Sequence, residues 1–441
     1  MDIGNRSKKT RVYLQKIKRN PFILQSLITL LVRVFGVIIL FGFTLFLTNN
    51  FSPKIIGQYD FVRSFLFVVG SICLLGCDQS ILYFKGRLNG SDTLNGLKNT
   101  YIKMVLILFS MSFVLFLIFI TIDEKWIVNY FSDIEVYSIL LKSIGILFFY
   151  SITVLNTEVF RALEHLYVAE LFRNTIKYIP VMLGSIFLFF YGKQSFLAEF
   201  FLYGFVFLAL ITTLLIFFYF SKINGDFKNS SFSYKEIIHK SYPIAISGMA
   251  MFLMMSIDVI FLKKFRDNAT VAYYSVAVKI MTILTMVILT VNITISTKIA
   301  EYFSTSNTVE LNNIIRKSVR LIFIITLPTA LIIAFLSEYF LIFFGEQYLV
   351  AKDALIILIM GQGVCSAFGA APVYLNMTGR QTIFQQTLVV AVIINFVLNQ
   401  LLIPKYGMTG AAISFVGSSF FWNFISAAII YQKDKVKVFL N

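Results

Sequence analysis

The sequence predicts an all-α polytopic membrane protein, with twelve transmembrane helices in two six-helix lobes related by a parallel repeat. Three observations carry that expectation. Charged residues make up 14% of the 441 residues while hydrophobic ones make up 58%, and the mean hydropathy is strongly positive, a balance suited to hydrocarbon. Apolar runs of about twenty residues, enough to cross roughly 30 Å at 1.5 Å per residue, follow one another from Pro21 to Tyr431. Two sets of residues recur at one spacing of 215 positions.

The expected crossings are 22 to 48, 58 to 82, 100 to 121, 136 to 160, 168 to 191, 196 to 220, 242 to 262, 270 to 297, 317 to 337, 351 to 376, 381 to 403 and 408 to 431. A chain in lipid must satisfy its own backbone hydrogen bonds, and runs this long and continuous are helices rather than barrel strands. The first run follows a basic tail, but its length of about 27 residues and the lack of a small-residue cleavage pattern mark a retained helix, not a removed leader. Cys73, Cys77 and Cys365 fall inside crossings, where they act as small apolar packing groups rather than disulfide partners. His165 and His239 are the two histidines, too few for a His-based metal or catalytic cluster, and no cofactor is expected.

The formal net charge of +16 has to be judged against the crossings. Arg6, Lys8, Lys9, Arg11, Lys16, Lys18 and Arg19 precede the first one. With that tail in the cytoplasm, most of the 38 Lys and Arg residues fall on inner loops and helix ends, which places both termini in the cytoplasm of a cell membrane and makes nucleic acid an unneeded partner. Lys263, Lys264 and Arg266 run against the rule, on the outer side.

The longest loop, SKINGDFKNSSFSYKEIIHK (221 to 240), divides the chain into an N-terminal lobe (1–220), a cytoplasmic linker (221–241) and a C-terminal lobe (242–441). Ile56, Gly57 and Tyr59 are matched by Val271, Ala272 and Tyr274, and Tyr191 and Gly192 by Tyr406 and Gly407, at the same offset. Two anchors at equivalent ends of equivalent helices indicate duplication of a six-helix unit. An even number of crossings per unit keeps both copies in one orientation, so the lobes enclose a cleft and can rock about it. The loops leave no room for a catalytic domain, and no enzyme is expected.

Four cations fall within crossings: Arg33, Arg63, Lys142 and Lys279. Each would cost about 2.5 to 3.5 kcal/mol facing lipid at mid-membrane, so each is expected to face protein or water. The acids at comparable depth are Asp60, Glu158 and Asp258, with Asp78 nearer the inner end. Asp60 and Arg63, spaced i, i+3, can pair on one helix face. Asp258 and Lys279 can pair across the hairpin of helices seven and eight, or each can serve substrate or ion coupling. Lys142 can snorkel to the outer interface. Arg33 has no acid within a turn and is expected to face the cavity. Guanidinium and ammonium groups in a wet cleft suit a diphosphate or acidic sugar, so Arg33, Arg63, Lys279 and Lys142 form the expected substrate site. Asp258, Asp60 and Glu158 are the candidates for ion coupling or charge pairing. Pro180, Pro243, Pro328 and Pro372 interrupt expected helices, and Pro243 followed by Gly248 is the expected hinge. Asn395 and Asn399, one turn apart, are expected to hydrogen-bond across helices.

Three strings add a resemblance. KSYPIAISGMAMFLMMSIDVIFLKKFRDNATVAYYSVAVKI (240 to 280), GCDQSILYFKG (76 to 86) and LIPKYGMTGAAIS (402 to 414) resemble the Wzx-type lipid-linked oligosaccharide flippases, the polysaccharide-export branch of the superfamily that also holds the multidrug and toxin extrusion (MATE) proteins. Ala272 stands where that pattern usually has glycine, and Tyr83 and Phe84 where an arginine is common. The resemblance implies a MATE-like arrangement in which helices one, two, seven and eight line the cleft. It also implies movement of an undecaprenyl-diphosphate-linked repeat, such as an O-antigen unit, from inner to outer leaflet by alternating access. The partners implied are the lipid-linked oligosaccharide, membrane lipids, a polysaccharide polymerase and other export components. The alternative is a MATE-like proton- or sodium-coupled exporter of drugs or other small organic molecules.

Overall fold

A computed structural model of the chain describes residues 21–88, 93–221 and 232–440. The basic tail and residues 222–231 of the expected linker lie outside the described residues. Among the described residues the secondary structure is helical throughout. The first half contributes α1 (Pro21–Asn50), α2 (Pro53–Leu74), α3 (Cys77–Arg87), α4 (Thr93–Ile120), α5 (Glu124–Phe131), α6 (Val136–Gly145), α7 (Leu147–Ala162), α8 (Leu166–Asn174), α9 (Ile179–Phe190) and α10 (Leu197–Ser221). The second contributes α11 (Tyr234–Phe265), α12 (Asn268–Ser304), α13 (Thr308–Phe335), α14 (Ser337–Phe343), α15 (Lys352–Cys365), α16 (Ala371–Met377), α17 (Gln381–Tyr406) and α18 (Met408–Asp434).

Every expected crossing coincides with one of these helices or with a broken run of them. Ten stretches among the described residues are long and apolar enough to span hydrocarbon, and α6 with α7, bent by 45°, makes an eleventh. The crossing expected at 168 to 191 is broken into α8, a tight turn at Ile176–Tyr178 and α9. Pro180 lies in the first turn of α9, where its missing N–H costs nothing but where a continuous helix could not pass. The second crossing is also jointed: Leu75 (φ 46°) and Gly76 (φ 75°) separate α2 from α3. By contrast α11 runs through Pro243 and Gly248 without a break, so the expected hinge is a continuous helix here.

Large apolar side chains on the outer faces remain open, Phe335 at 88% and Phe190 at 78% exposure among them, as lipid contact requires. The interior between the halves is organised by α2, which packs along both α11 and α12. The N-termini of α2 and α12 meet closely enough that a Cβ on Gly57 would lie 1.6 Å from the Asn268 carbonyl oxygen; glycine is the residue that permits this approach. Its repeat partner Ala272 is fully buried and carries a Cβ.

The halves touch at both ends of the bundle. At the end that carries the 132–135 loop, Lys263 of α11 forms an ion pair with Asp133. At the opposite end the hydroxyls of Ser80 (α3) and Ser241 (α11) are 2.6 Å apart, and Arg87 donates to Glu236 at 2.8 Å.

Candidate functional site

A cavity of about 550 Å³ opens among α2, α3, α7, α8 and α10, with Phe252 of α11 on its wall. Its charged and amide lining is Asp78, Gln79, Glu158, Arg161, Arg173 and Lys177, set against Phe67, Tyr150, Phe172 and Phe205. The helix breaks create the polar side. Cys77 starts α3 after the Gly76 turn, which brings Asp78 inward, and the interruption after Asn174 turns Lys177 towards the same space.

The charges form a ladder across three helices. Arg33 on α1 donates to both oxygens of Glu170 on α8, Nε at 2.9 Å and Nη2 at 2.8 Å. Glu170 lies 3.9 Å from Arg173, Arg173 pairs with Glu158 on α7, and Glu158 lies 3.7 Å from Arg161. Arg33 thus reaches the cavity wall through Glu170 rather than lining it. With Lys177 and Asp78, four cations face three carboxylates, and the surplus is positive.

A second centre lies between the halves. Asp60 on α2, fully buried, contacts Arg63 at 3.1 Å on its own helix and Lys279 of α12 at 3.1 Å. Both Asp60 oxygens accept from Lys279 Nζ. The Arg63 guanidinium also lies 5.9 Å from the centre of the Tyr59 ring, within the range of a cation–π contact.

In the second half, Asp258 is buried among neutral donors. It accepts from Tyr274 Oη at 3.0 Å and Asn399 Nδ2 at 2.6 Å. Asn399 also donates to Asn395 Oδ1 at 3.0 Å, and Asn395 donates to Ser418 Oγ at 3.2 Å. The expected Asp258–Lys279 pair is therefore not formed, because each residue has a nearer partner on another helix. Lys142 pairs with Glu199 of α10 at 3.2 Å, at an exposed edge where the lysine stem can reach water.

The four cations expected to share one cleft are thus dispersed among three places, each beside a carboxylate. Sequence distance hid the reason: Glu170 is 137 positions from Arg33. The cavity cations Arg161, Arg173 and Lys177 were missed because they lie at helix ends, where a crossing-based reading treats them as interfacial. The i, i+3 pairs Glu158/Arg161 and Glu170/Arg173 were the available signal.

At the 132–135 end a polar groove of about 800 Å³ runs between the halves, lined by Lys54, Asp133, Lys263, Lys264, Arg266 and Asp267 among others. The basic cluster that violated the charge rule is held here. Besides the Lys263–Asp133 pair, Lys264 stands 4.2 Å over the Tyr130 ring and Arg266 donates to the Pro404 carbonyl at 3.0 Å. Burial pushes the Asp133 carboxyl up, but the Lys263 hydrogen bond and charge outweigh it and hold the group below the usual carboxylate range.

Comparisons with known proteins agree with this architecture. The family described as polysaccharide biosynthesis protein matches residues 23–295, well over half of the chain, and the MatE family matches 243–401. A probable low-salt glycan biosynthesis flippase, Agl15 of Haloferax volcanii, is 25% identical over 199 residues, covering 44% of this chain and 42% of that protein. The chain thus matches less than half the length of that relative. Among solved structures, the lipid II flippase MurJ in an inward closed conformation superposes with a TM-score of 0.70 at 14% identity, covering 92% of this chain and 87% of MurJ. An inward-facing multidrug resistance MATE transporter gives 0.69 at 13% identity, with 93% and 99% covered. These likenesses establish the fold.

Proposed function

The chain belongs to the polysaccharide biosynthesis protein family, and on that premise we propose that it is a flippase for a lipid-linked polysaccharide repeat unit. The observation that carries this reading is the cavity ladder, in which Arg33, Arg161, Arg173 and Lys177 exceed the carboxylates of Asp78, Glu158 and Glu170 by one. Such a surplus at low dielectric favours an anionic headgroup through charge-assisted hydrogen bonds. A space of about 550 Å³ falls in the range of small-ligand sites, sufficient for a diphosphate and its first sugar while a prenyl tail stays in lipid. The flippase named among the relatives and the flippase among the solved structures support the same class of substrate.

In this reading the substrate is an undecaprenyl-diphosphate-linked unit, O-antigen or a similar repeat, and the two halves of the chain rock as lobes around it. The termini and the Ser80–Ser241 contact face the cytoplasm, and the 132–135 end faces outward. Carriage of about two negative charges outward is favoured by roughly 4 to 5 kcal/mol per 100 mV when the interior is negative. Asp258, buried among neutral donors and without an ion-pair partner among the described residues, is the candidate for ion coupling.

The MATE-like alternative, export of small organic molecules, has one observation in its favour: the aromatic wall of Phe67, Tyr150, Phe172, Phe205 and Phe252. Complementation separates the two. In a strain lacking the chromosomal copy, Arg173→Ala and Arg33→Ala at normal membrane levels are expected to lose most surface polysaccharide and leave drug susceptibility unchanged. Unaltered glycan display with raised drug susceptibility would reverse the assignment.

A further inference from the structure

Asp60 is a single carboxylate shared by two cations, and the two are not equivalent. Arg63 is one turn away on α2, so their contact survives any movement of α2 as a rigid helix. Lys279 belongs to α12, 219 positions along the chain, and is lost when α2 and α12 separate. All three side chains lie in a nearly dry seam, at 0% exposure for Asp60, 6% for Lys279 and 18% for Arg63.

We propose that Asp60 is a transferable counterion that remains with Arg63 as α2 and α12 part, leaving the Lys279 ammonium free to bind a phosphate oxygen of the lipid-linked substrate. The inference rests on the flippase reading and deepens it by adding a second anion contact to the one in the first-half cavity. Separating a buried pair ordinarily strands both charges, which is what makes it costly. Here the carboxylate is never stranded, because Arg63 stays beside it. The whole penalty falls on Lys279, and an anion arriving between the halves removes it. Opening at the 132–135 end is thereby tied to occupancy: without an anion, Lys279 returns to Asp60 and the seam closes.

Arg63 is a positioning residue in this scheme, acting through Asp60, whereas Lys279 touches substrate. The seam lies close to the Gly57–Asn268 approach on the same two helices, so its separation is reported by the loops beyond. Ile134, 81% exposed, and Ala269 flank the groove from opposite halves, and nitroxide labels at Ile134→Cys and Ala269→Cys measure its width. The native cysteines Cys73, Cys77 and Cys365 are buried.

The test uses the full-length protein in liposomes, with undecaprenyl diphosphate as the probe and undecaprenol as the uncharged control. Wild type is expected to shift to longer label distances with the diphosphate lipid and not with undecaprenol. Lys279→Met, similar in shape without the charge, is expected to keep the short distance with either lipid and to lower surface glycan by about tenfold or more. Asp60→Asn, which leaves two neighbouring cations without a counterion, is expected to give the long distance with no lipid present. Lys279→Arg is expected to retain part of the lipid response. Equal widening in wild type and Lys279→Met, or a short distance in lipid-free Asp60→Asn, overturns this proposal alone. Absence of any response to undecaprenyl diphosphate in wild type overturns the flippase reading and this proposal with it.

Discussion

The two halves of the chain place tyrosines at one repeat position and surround them with different chemistry. Tyr59 and Tyr274 are both buried, one repeat of 215 positions apart. Beside Tyr59 lie Asp60 and Arg63, and beyond them the charged ladder from Arg33 to Arg161. Tyr274 instead donates to Asp258, whose other partner is the neutral amide of Asn399. A duplicated scaffold thus has one half rich in ion pairs and one whose buried carboxylate is solvated by amides and hydroxyls. The tyrosine positions correspond, while the helices that carry them differ: the second crossing is jointed at Leu75–Gly76 and α12 runs unbroken from Asn268 to Ser304.

The most severe way to break this comparison is at the repeat position where only one half needs glycine. Gly57→Ala places a methyl group against the Asn268 carbonyl and is expected to cost about 3 kcal/mol, as overpacking of a closed contact does. Ala272→Gly, its counterpart, is expected to cost about 1 kcal/mol through helix propensity. Thermal unfolding of the detergent-solubilised protein measures both, and equal effects would contradict the close approach.

A pair of isosteric amides probes the chemical difference directly. Glu158→Gln takes the nearest carboxylate charge from Arg161 and leaves Arg173 with Glu170 at 3.9 Å; it is expected to destabilise by about 2 kcal/mol, below the buried limit because both guanidiniums are partly exposed. Asp258→Asn keeps an oxygen for Tyr274 or Asn399 and is expected to cost about 1 kcal/mol. Coupling separates them further: Asp258→Asn should flatten the dependence of transport in vesicles on an imposed proton or sodium gradient, which Glu158→Gln should not.

The smallest effect concerns the contact that joins the halves at the groove. Because Lys263 holds the Asp133 carboxyl below its ordinary range, the pair contributes fully above the unfolded carboxylate value of about 4 and is lost as pH falls through the depressed one. Label distances across the groove should therefore be constant from neutral to mildly acidic pH and lengthen only below that range. Asp133→Asn should remove the acid-induced change.

Much of the architecture was legible because hydrocarbon imposes one demand, a long apolar helix, that composition alone can meet. The repeat was readable for a similar reason: Gly57 and Gly407 mark backbone geometry, and geometry is written locally. The Asp60–Arg63 pair, three residues apart, was accessible on the same grounds. Charge partnership between helices was not. Glu170 answers Arg33, Glu199 answers Lys142 and Asp60 answers Lys279, and nothing in the periodicity of either member announces the other. The breaks at Leu75–Gly76 and after Asn174 bring Asp78 and Lys177 inward, so residues that look interfacial by depth belong to the cavity.

The left-handed joint at Leu75 and Gly76 has a bearing on leakage. Any carrier that let go of both membrane faces together would short-circuit the ion gradients of its cell. Since α2 makes the groove-side seam and α3 the Ser80–Ser241 contact, the two barriers are mounted on separate rods with a swivel between them. In the proposed flippase, tilting of α2 about this joint would leave α3 seated, and the two barriers would open in turn.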